Sequence, residues 1–362
     1  MTNIFGLHSV ASGLFRRVAV AAVVAMGLSG CVAADMALDS LPYAPPQISG
    51  KVMAEMAKKG MKPESPVLVR IFKQESELEV WKIDATGSYA LLKTFPMCRW
   101  SGKLGPKTKS GDRQAPEGFY HVSAGMLNPK SQYYVSFNLG YPNRLESALG
   151  HTGEALMVHG ACSSSGCYAL TDQGVGEIYA LAAKALASGQ SRFQVQAYPY
   201  RMTPENMALH KGDENMPFWR VLKEGYDAFE LTKRQPKVSV CGRRYVFNTQ
   251  FQGGEPRDPI AACPATVSSP DDQLMAKIAA EKRRAEAAMA ESKSTTLNAY
   301  VDGGMHPSFR SLLKKKGPEK LAASISGIKY PVSRPDAALA DPFELKAKRS
   351  SVGVVLSDQP RD

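Results

Sequence analysis

Hydrophobic and polar positions first mark out the beginning of the chain. Residues 18–27 are apolar without a charge and follow two arginines, which is typical of a signal-peptide core and too short for a membrane-spanning helix. Residues 48–61 have the spacing of a short amphipathic helix, which a glycine and a proline end. Between them lies a proline-containing tether. The first 64 residues therefore carry little of the fold.

Alternating apolar and polar positions then predict a series of strands. The first three should form an antiparallel meander, with a tight hairpin at Gly87-Ser88. The predicted strands are 67–72, 78–83, 89–95, 118–122, 132–139, 155–158, 192–198 and 238–246. A helix that Asp172 can cap ends at Gly189, and residues 204–231 are predicted to be helical in pieces. The pattern indicates a mainly β domain of the α+β class.

The composition changes after Pro270. Residues 274–293 predict a helix, but its apolar face is mostly alanine and can bury little. Beyond Thr296 the chain is rich in proline, serine and lysine, which predicts a disordered tail. We therefore expect four parts: a signal peptide (1–30), a tether with a short helix (31–64), a compact catalytic domain (65–265), and a helix with a tail (266–362).

The end of the apolar stretch predicts export and lipidation. Leu28-Ser29-Gly30-Cys31 resembles a bacterial lipobox, in which the cysteine thiol receives diacylglycerol. An ordinary secretory signal with a chance cysteine is the alternative. Val32-Ala33 lack the aspartate that retains some lipoproteins in the inner membrane. The expectation is a membrane-anchored lipoprotein facing the periplasm, in the outer membrane rather than the inner one.

The charge balance changes this picture little. Forty-five Lys and Arg against 34 Asp and Glu give a net charge of +11. The charge is dispersed, and no basic stretch is interleaved with aromatic residues as single-strand binders require. Together with export, this pattern predicts no nucleic-acid partner.

Export also changes the interpretation of the cysteines, because thiols pair in an oxidising compartment unless chemistry keeps them free. Five cysteines besides the lipidation site make an odd set, so one should be unpaired. Cys241 and Cys263 flank a Gly/Pro-rich stretch and could close a modest loop. Any one of Cys98, Cys162 and Cys167 could then be the unpaired thiol, and the sequence does not decide which.

The most specific segment follows a predicted strand that ends at His159. Residues 159–167 read HGACSSSGC, a loop of small residues that places Cys167 just ahead of a helix. Small residues let a backbone approach a substrate closely, so the N–H groups of Gly166 and Cys167 are candidates for an oxyanion hole. A thiol beside an imidazole can act as a nucleophile.

Three other interpretations remain open at this point. His159, Cys162 and Cys167 could form part of a zinc site, although a fourth ligand has no matching motif nearby. Cys162 and Cys167 could form a disulfide across the loop. The loop could also hold a buried histidine with no chemical role.

A resemblance favours catalysis. The segment resembles the His-Gly…Ser/Thr-x-Gly-Cys motif of YkuD-type L,D-transpeptidases, with His159-Gly160 and Ser164-Ser165-Gly166-Cys167 in the matching places. Ser165 stands where most members have a histidine, and the spacing is short. Both departures are shared by the YafK-like branch, as are the motifs at 98–120 and 198–202.

The resemblance implies a mixed β-sandwich that acts on peptidoglycan stem peptides without a cofactor or a metal. Cys167 is implied as the nucleophile and His159 as the general base and acid, with Gly160, Ser164 and Gly166 supporting the loop. Arg201 is a candidate for binding a stem-peptide carboxylate, or else a structural arginine.

Three functions remain open. An amine acceptor for the acyl group makes a transpeptidase, which could also attach an outer-membrane protein to the wall. Water makes a hydrolase that releases wall-linked lipoprotein. A non-catalytic peptidoglycan-binding lipoprotein is the third alternative, and it predicts a disulfide at Cys167.

Overall fold

The structure is a computed structural model that describes residues 45–267, 272–293, 302–327 and 330–339. The predicted signal peptide, the lipidation site at Cys31 and most of the tether lie outside the described residues. Within the described residues, no helix is long and apolar enough to cross a membrane.

The secondary structure follows the predicted order, with additional short elements. The strands are Val67–Phe72 (β1), Glu77–Ile83 (β2), Tyr89–Pro96 (β3), Arg99–Trp100 (β4), Gly118–Ser123 (β5), Leu127–Ser131 (β6), Tyr134–Asn138 (β7), Met157–His159 (β8), Tyr168–Ala169 (β9), Arg192–Tyr198 (β10), Val238–Cys241 (β11), Arg244–Phe247 (β12), Gln250–Phe251 (β13) and Thr266–Val267 (β14). The helices are Gly50–Lys58 (α1), Arg144–Ala148 (α2), Asp172–Ala187 (α3), Pro204–Leu209 (α4), Met216–Thr232 (α5), Asp272–Glu291 (α6), Pro307–Lys316 (α7), Pro318–Ile325 (α8) and Pro335–Leu339 (α9).

The first sheet has the strand order β3-β2-β1-β10-β5. Its antiparallel meander, β1 to β3, confirms the prediction from the alternating pattern. β10 comes from much later in the chain and joins β1 in parallel, with Val69 opposite Val195. The sheet is therefore mixed.

The second sheet, β4-β9-β8-β7-β6, carries the residues of the predicted site. β8 lies antiparallel to β7 and parallel to β9, so the chain leaves β8, forms a loop and returns alongside it. The apolar faces of both sheets meet helix α3 in one core, to which Val69, Val158, Val175, Leu181 and Val195 all contribute. The α+β class with mixed sheets and peripheral helices is confirmed.

Two local predictions were wrong. Helix α3 is capped by Thr171, whose Oγ accepts a hydrogen bond from the N–H of Gly174 at 3.0 Å, and not by Asp172. The predicted strand 238–246 is a hairpin of β11 and β12, because Gly242 and Arg243 both adopt positive φ angles (57° and 63°). A two-residue turn of this kind reverses the chain between twisted strands.

The expectation of a disordered tail was wrong for the described residues 302–327 and 330–339. Helices α7 to α9 form there and bury Phe309, Leu313 and Leu321 in a second apolar cluster. That cluster packs around Cys98 and Cys162. The few apolar residues of the tail have the spacing of amphipathic helices, and they are buried because the folded domain offers an apolar surface. Composition alone does not reveal this. Among the described residues, 35% are helical and 23% lie in strands.

Candidate active site

The parallel pairing of β8 and β9 brings the two predicted catalytic residues onto adjacent segments of one sheet. Val158 lies opposite Tyr168, and His159 lies opposite Ala169. Cys167 directly precedes β9, and the N–H of Met157 on β8 donates to Cys167 Sγ at 3.4 Å. His159 is therefore two residues along β8 from the position that contacts the thiol.

The imidazole of His159 is buried and held from two sides. Its Nδ1 lies 2.5 Å from the carbonyl oxygen of Gly160. A carbonyl can only accept, so Nδ1 carries the proton and Nε2 keeps a free electron pair. The ring of Tyr133 lies against the imidazole with centroids 4.6 Å apart. The histidine is thus fixed in the tautomer that a general base requires.

The protonation states point to a neutral pair. Burial lowers the pKa of His159 to about 4, although the hydrogen bond to Gly160 opposes this shift. Burial also raises the pKa of the Cys167 thiol, while the N–H of Met157 and the charge of Lys107 oppose that change. At neutral pH the resting site therefore holds a thiol and a neutral imidazole. Such a thiol has to lose its proton to the base during attack.

Gly160 is required by the space around it. A Cβ at this position would lie 2.5 Å from Asp172 Oδ1 and 2.6 Å from the carbonyl oxygen of Tyr133. The carboxylate of Asp172 also accepts from the N–H of Ala161 at 3.2 Å. Ala161 has a positive φ of 60°, a conformation that costs energy for a residue with a Cβ and that the loop must hold in place.

Ser164 organises the other half of the loop. Its side chain is buried, and its Oγ donates to the carbonyl oxygen of Cys167 at 2.7 Å. Ser101 Oγ lies 3.1 Å from Ser164 Oγ. The N–H of Gly166 lies 3.4 Å from Ser164 Oγ, so it is turned into the loop. An oxyanion role for Gly166 and Cys167 stays a prediction.

The cysteine pairing excludes two of the three alternatives left open by the sequence. Disulfides join Cys98 to Cys162 and Cys241 to Cys263, and Cys167 is the free, half-buried thiol of the described chain. A bond from Cys162 to Cys98 removes Cys162 both as a zinc ligand and as a partner of Cys167. Among the described residues there is no group of three or more metal-binding side chains.

Lys107 and Tyr133 belong to the site but were not singled out as functional by the sequence. The ammonium of Lys107 is held by Asp112 Oδ1 at 2.5 Å and by the carbonyl oxygen of Lys109 at 2.8 Å. Its charge favours the thiolate form of Cys167. Lys107 lies in the motif region 98–120 of the resemblance, and this position was the signal in the sequence that could have identified it. Tyr133 had none.

The surroundings of Arg201 favour the alternative of a structural arginine, and its candidate role in substrate binding stays a prediction. One terminal nitrogen donates to Glu79 at 2.7 Å, and the other donates to Glu77 at 2.6 Å. The guanidinium also lies over the ring of Phe72, 4.3 Å from its centroid. Both terminal nitrogens are thus engaged by carboxylates of β2, which neutralise the charge that a ligand carboxylate would need.

A cavity of about 360 Å³ lies in the same domain, but Cys167 does not line it. Its walls come from α2, α5 and the β11–β12 hairpin, with Pro106 and His151 on one side. This cavity is therefore not part of the candidate site.

The site thus has a free thiol, an oriented neutral imidazole and a small-residue loop on a mixed sheet, which are the parts that a cysteine acyl-transfer site uses. No family model matches the chain. A protein of Escherichia coli K12 named "Putative L,D-transpeptidase YafK" is 46% identical over 184 residues, covering 51% of this chain and 74% of that protein. A protein of the same name from Escherichia coli O157:H7 gives the same values.

The chain belongs to the L,D-transpeptidase family, in its YafK-like branch. Two solved structures are also similar. The helical cell shape determining protein Pgp2 of Campylobacter jejuni is 17% identical, with 52% of this chain and 79% of that chain covered and a TM-score of 0.31. Bd1075 of Bdellovibrio bacteriovorus is 15% identical, with 55% and 81% covered and a TM-score of 0.28.

Proposed function

We propose that this protein modifies peptidoglycan by acyl transfer through Cys167. The substrate is a stem peptide, and the attacked group is the carbonyl of its diaminopimelate residue. Membership of the L,D-transpeptidase family supports this substrate class. The observation that carries the proposal is the free thiol of Cys167, bound by the N–H of Met157, together with a buried imidazole on the same strand β8 whose Nδ1 is committed to Gly160.

The first half-reaction forms a thioester. Cys167 Sγ attacks the carbonyl carbon while Nε2 of His159 takes the thiol proton. The tetrahedral intermediate then loses the amine of the following residue, which leaves with the proton from His159. The C–S bond forms in the attack and the C–N bond breaks in the collapse, so atoms and charge balance. The low proton affinity of the buried imidazole favours return of that proton to the leaving amine.

The second half-reaction depends on the acceptor. An amine that attacks the thioester gives a new amide and restores the thiol, which is transpeptidation. Water gives a free carboxylate and the same thiol, which is the alternative hydrolysis. We take the amine as the acceptor, because the related proteins are named as transpeptidases.

Purified muropeptides test the proposal directly. The wild type should release the terminal residue of a tetrapeptide stem and form dimers when an amine acceptor is present. Cys167→Ala should do neither, and Cys241→Ala with Cys263→Ala serves as a matched control that removes cysteines elsewhere. Release without dimers at any amine concentration would make the protein a hydrolase. Turnover by Cys167→Ala would exclude this mechanism.

The expected location follows from Cys31, which lies outside the described residues. We propose that Cys31 is lipidated and anchors the protein in the envelope, facing the periplasm from the outer membrane. Labelling of growing cells with radioactive palmitate should mark the wild type and leave Cys31→Ala unmarked. A labelled Cys31→Ala variant, or wild type found free in the periplasm, would contradict the anchor.

A further inference from the structure

The C-terminal segment, defined as the described residues 302–327 and 330–339, contacts the catalytic loop at two places. Neither the motifs nor the composition pointed to it. It packs on β4, where Trp100 and Gly304 form a β-bridge, and on the cluster around the Cys98–Cys162 disulfide. The segment therefore lies against the same sheet that carries Cys167.

The first contact is Ser333, which holds Ser164 by its backbone. The N–H of Ser164 donates to Ser333 Oγ at 3.0 Å, and Ser333 Oγ donates to the carbonyl oxygen of Ser164 at 3.2 Å. Ser164 Oγ in turn donates to the carbonyl oxygen of Cys167. Ser164 thus links Ser333 to the nucleophile. The two hydrogen bonds of Ser333 Oγ fix the backbone of Ser164 in the loop that carries the thiol.

The second contact is a series of three rings. Tyr330 lies against Tyr133, and Tyr133 lies against the imidazole of His159, with centroids 4.6 Å apart and tilted planes at both steps. The carbonyl oxygen of Tyr133 also accepts from the N–H of Gly160 at 3.0 Å. Tyr330 therefore packs against the ring that contacts His159, and helps to keep that ring in place.

Buried polar groups fasten the segment around these contacts. The guanidinium of Arg99 donates to the carbonyl oxygens of Ser333 (3.0 Å) and Asp302 (2.6 Å). Ser326 Oγ donates at 2.8 Å to Asp172 Oδ2, and the other oxygen of that carboxylate accepts from the N–H of Ala161 in the catalytic loop. Fastening by a buried arginine and a shared carboxylate makes the contacts specific and not incidental packing.

We propose that Ser333 and Tyr330 are positioning residues for the reaction at Cys167, acting through Ser164 and Tyr133. This inference rests on the proposed function. The segment holds the buried backbone of Ser164 and leaves the thiol of Cys167 half-exposed, so it supports the loop without covering the nucleophile. Placement of reacting groups to within a fraction of an ångström contributes strongly to rate, so loss of either contact should slow thioester formation without weakening substrate binding.

The test compares paired variants of the full chain. Ser333→Ala removes the hydroxyl and Ser333→Thr keeps one; Tyr330→Ala removes the stacked ring and Tyr330→Phe keeps it. Ser311→Ala is the matched control, since Ser311 Oγ binds only the Pro307 carbonyl of its own helix in the described structure. The measurements are kcat and KM for thioester formation with a stem tetrapeptide, the rate of Cys167 alkylation by iodoacetamide, and the melting temperature.

Ser333→Ala and Tyr330→Ala should lower kcat by about 10-fold, with KM unchanged within about 2-fold. Ser333→Thr and Tyr330→Phe should recover most of the rate, and the alkylation rate should change in the same order. Variants indistinguishable from Ser311→Ala, or a change in KM alone, would overturn the inference. If Ser333→Ala does not fold, the Tyr330 pair decides. If the wild type forms no thioester but the alkylation rates still differ, the positioning stands and the proposed function fails.

Discussion

Two polar regions of this domain, each built around a residue that the sequence proposed as functional, differ in what their groups are free to do. Around Arg201, two carboxylates from β2 occupy both ends of the guanidinium. Around Cys167, the thiol accepts a hydrogen bond from the N–H of Met157, and Nδ1 of His159 is bound to Gly160 while Nε2 keeps its electron pair. The groups of the first region neutralise one another, whereas the second region leaves the unpaired thiol and Nε2 able to react. A candidate site therefore differs from a structural cluster in whether its groups are free to react, more than in which residue types it contains.

Removing the catalytic base should have the largest effect on this comparison. His159→Gln should lower thioester formation by about 10³-fold, since a positioned base contributes about 10²–10⁴-fold. His121→Gln on β5 of the other sheet is the matched control and should stay near the wild-type rate. The measurement is single-turnover acylation with a stem tetrapeptide. Equal rates for the two variants would remove His159 from the mechanism.

The two disulfides offer the next contrast, because only one of them holds the catalytic loop. Their sequence separations of 64 and 22 residues correspond to about 4 and 3 kcal/mol of stability in the chain-entropy model. Replacing Cys98 and Cys162 by serine should lower both the stability and the acylation rate. Replacing Cys241 and Cys263 should lower stability alone. Denaturant unfolding and acylation kinetics check this, and equal losses of rate would contradict the distinction.

The pH dependence tests the neutral pair. Since the pKa of His159 is lowered to about 4, the base is neutral above that value, and kcat/KM should fall only as the pH drops through about 4. Alkylation of the free enzyme should rise only at high pH, because the pKa of the thiol is raised. Rate measurements from pH 3 to 10 check both limbs. An acid limb near the ordinary histidine pKa would contradict the buried, neutral imidazole.

Arg201 should give the smallest effect on catalysis. Arg201→Met leaves the buried carboxylate of Glu79 without this partner, so the free energy of unfolding should fall by about 1–2 kcal/mol. The KM for a stem peptide should stay within about 2-fold of the wild type. A KM raised tenfold at unchanged stability would restore the substrate-binding role that the occupied fork argues against.

The parts of this molecule that the sequence predicted are those in which neighbours along the chain decide. The strands 67–72 and 192–198 follow from local alternation, and His159 and Cys167 lie eight residues apart in one motif. The ion pairs of Arg201 could not be predicted, because its partners lie more than 120 residues earlier in the chain. Ser333 was missed for the same reason, being 169 residues from Ser164. The tail was taken as disordered because its few apolar residues acquire a surface only in the folded domain.

The most direct test of the central claim is the intact mass of the protein mixed with a stem tetrapeptide and quenched in acid. The account predicts an added mass equal to the peptide without its terminal residue, localised to Cys167 by peptide mapping and absent from Cys167→Ala. The adduct should decay when an amine acceptor is added. An unmodified wild type that nevertheless turns over the peptide, or an adduct on any other residue, would contradict the account.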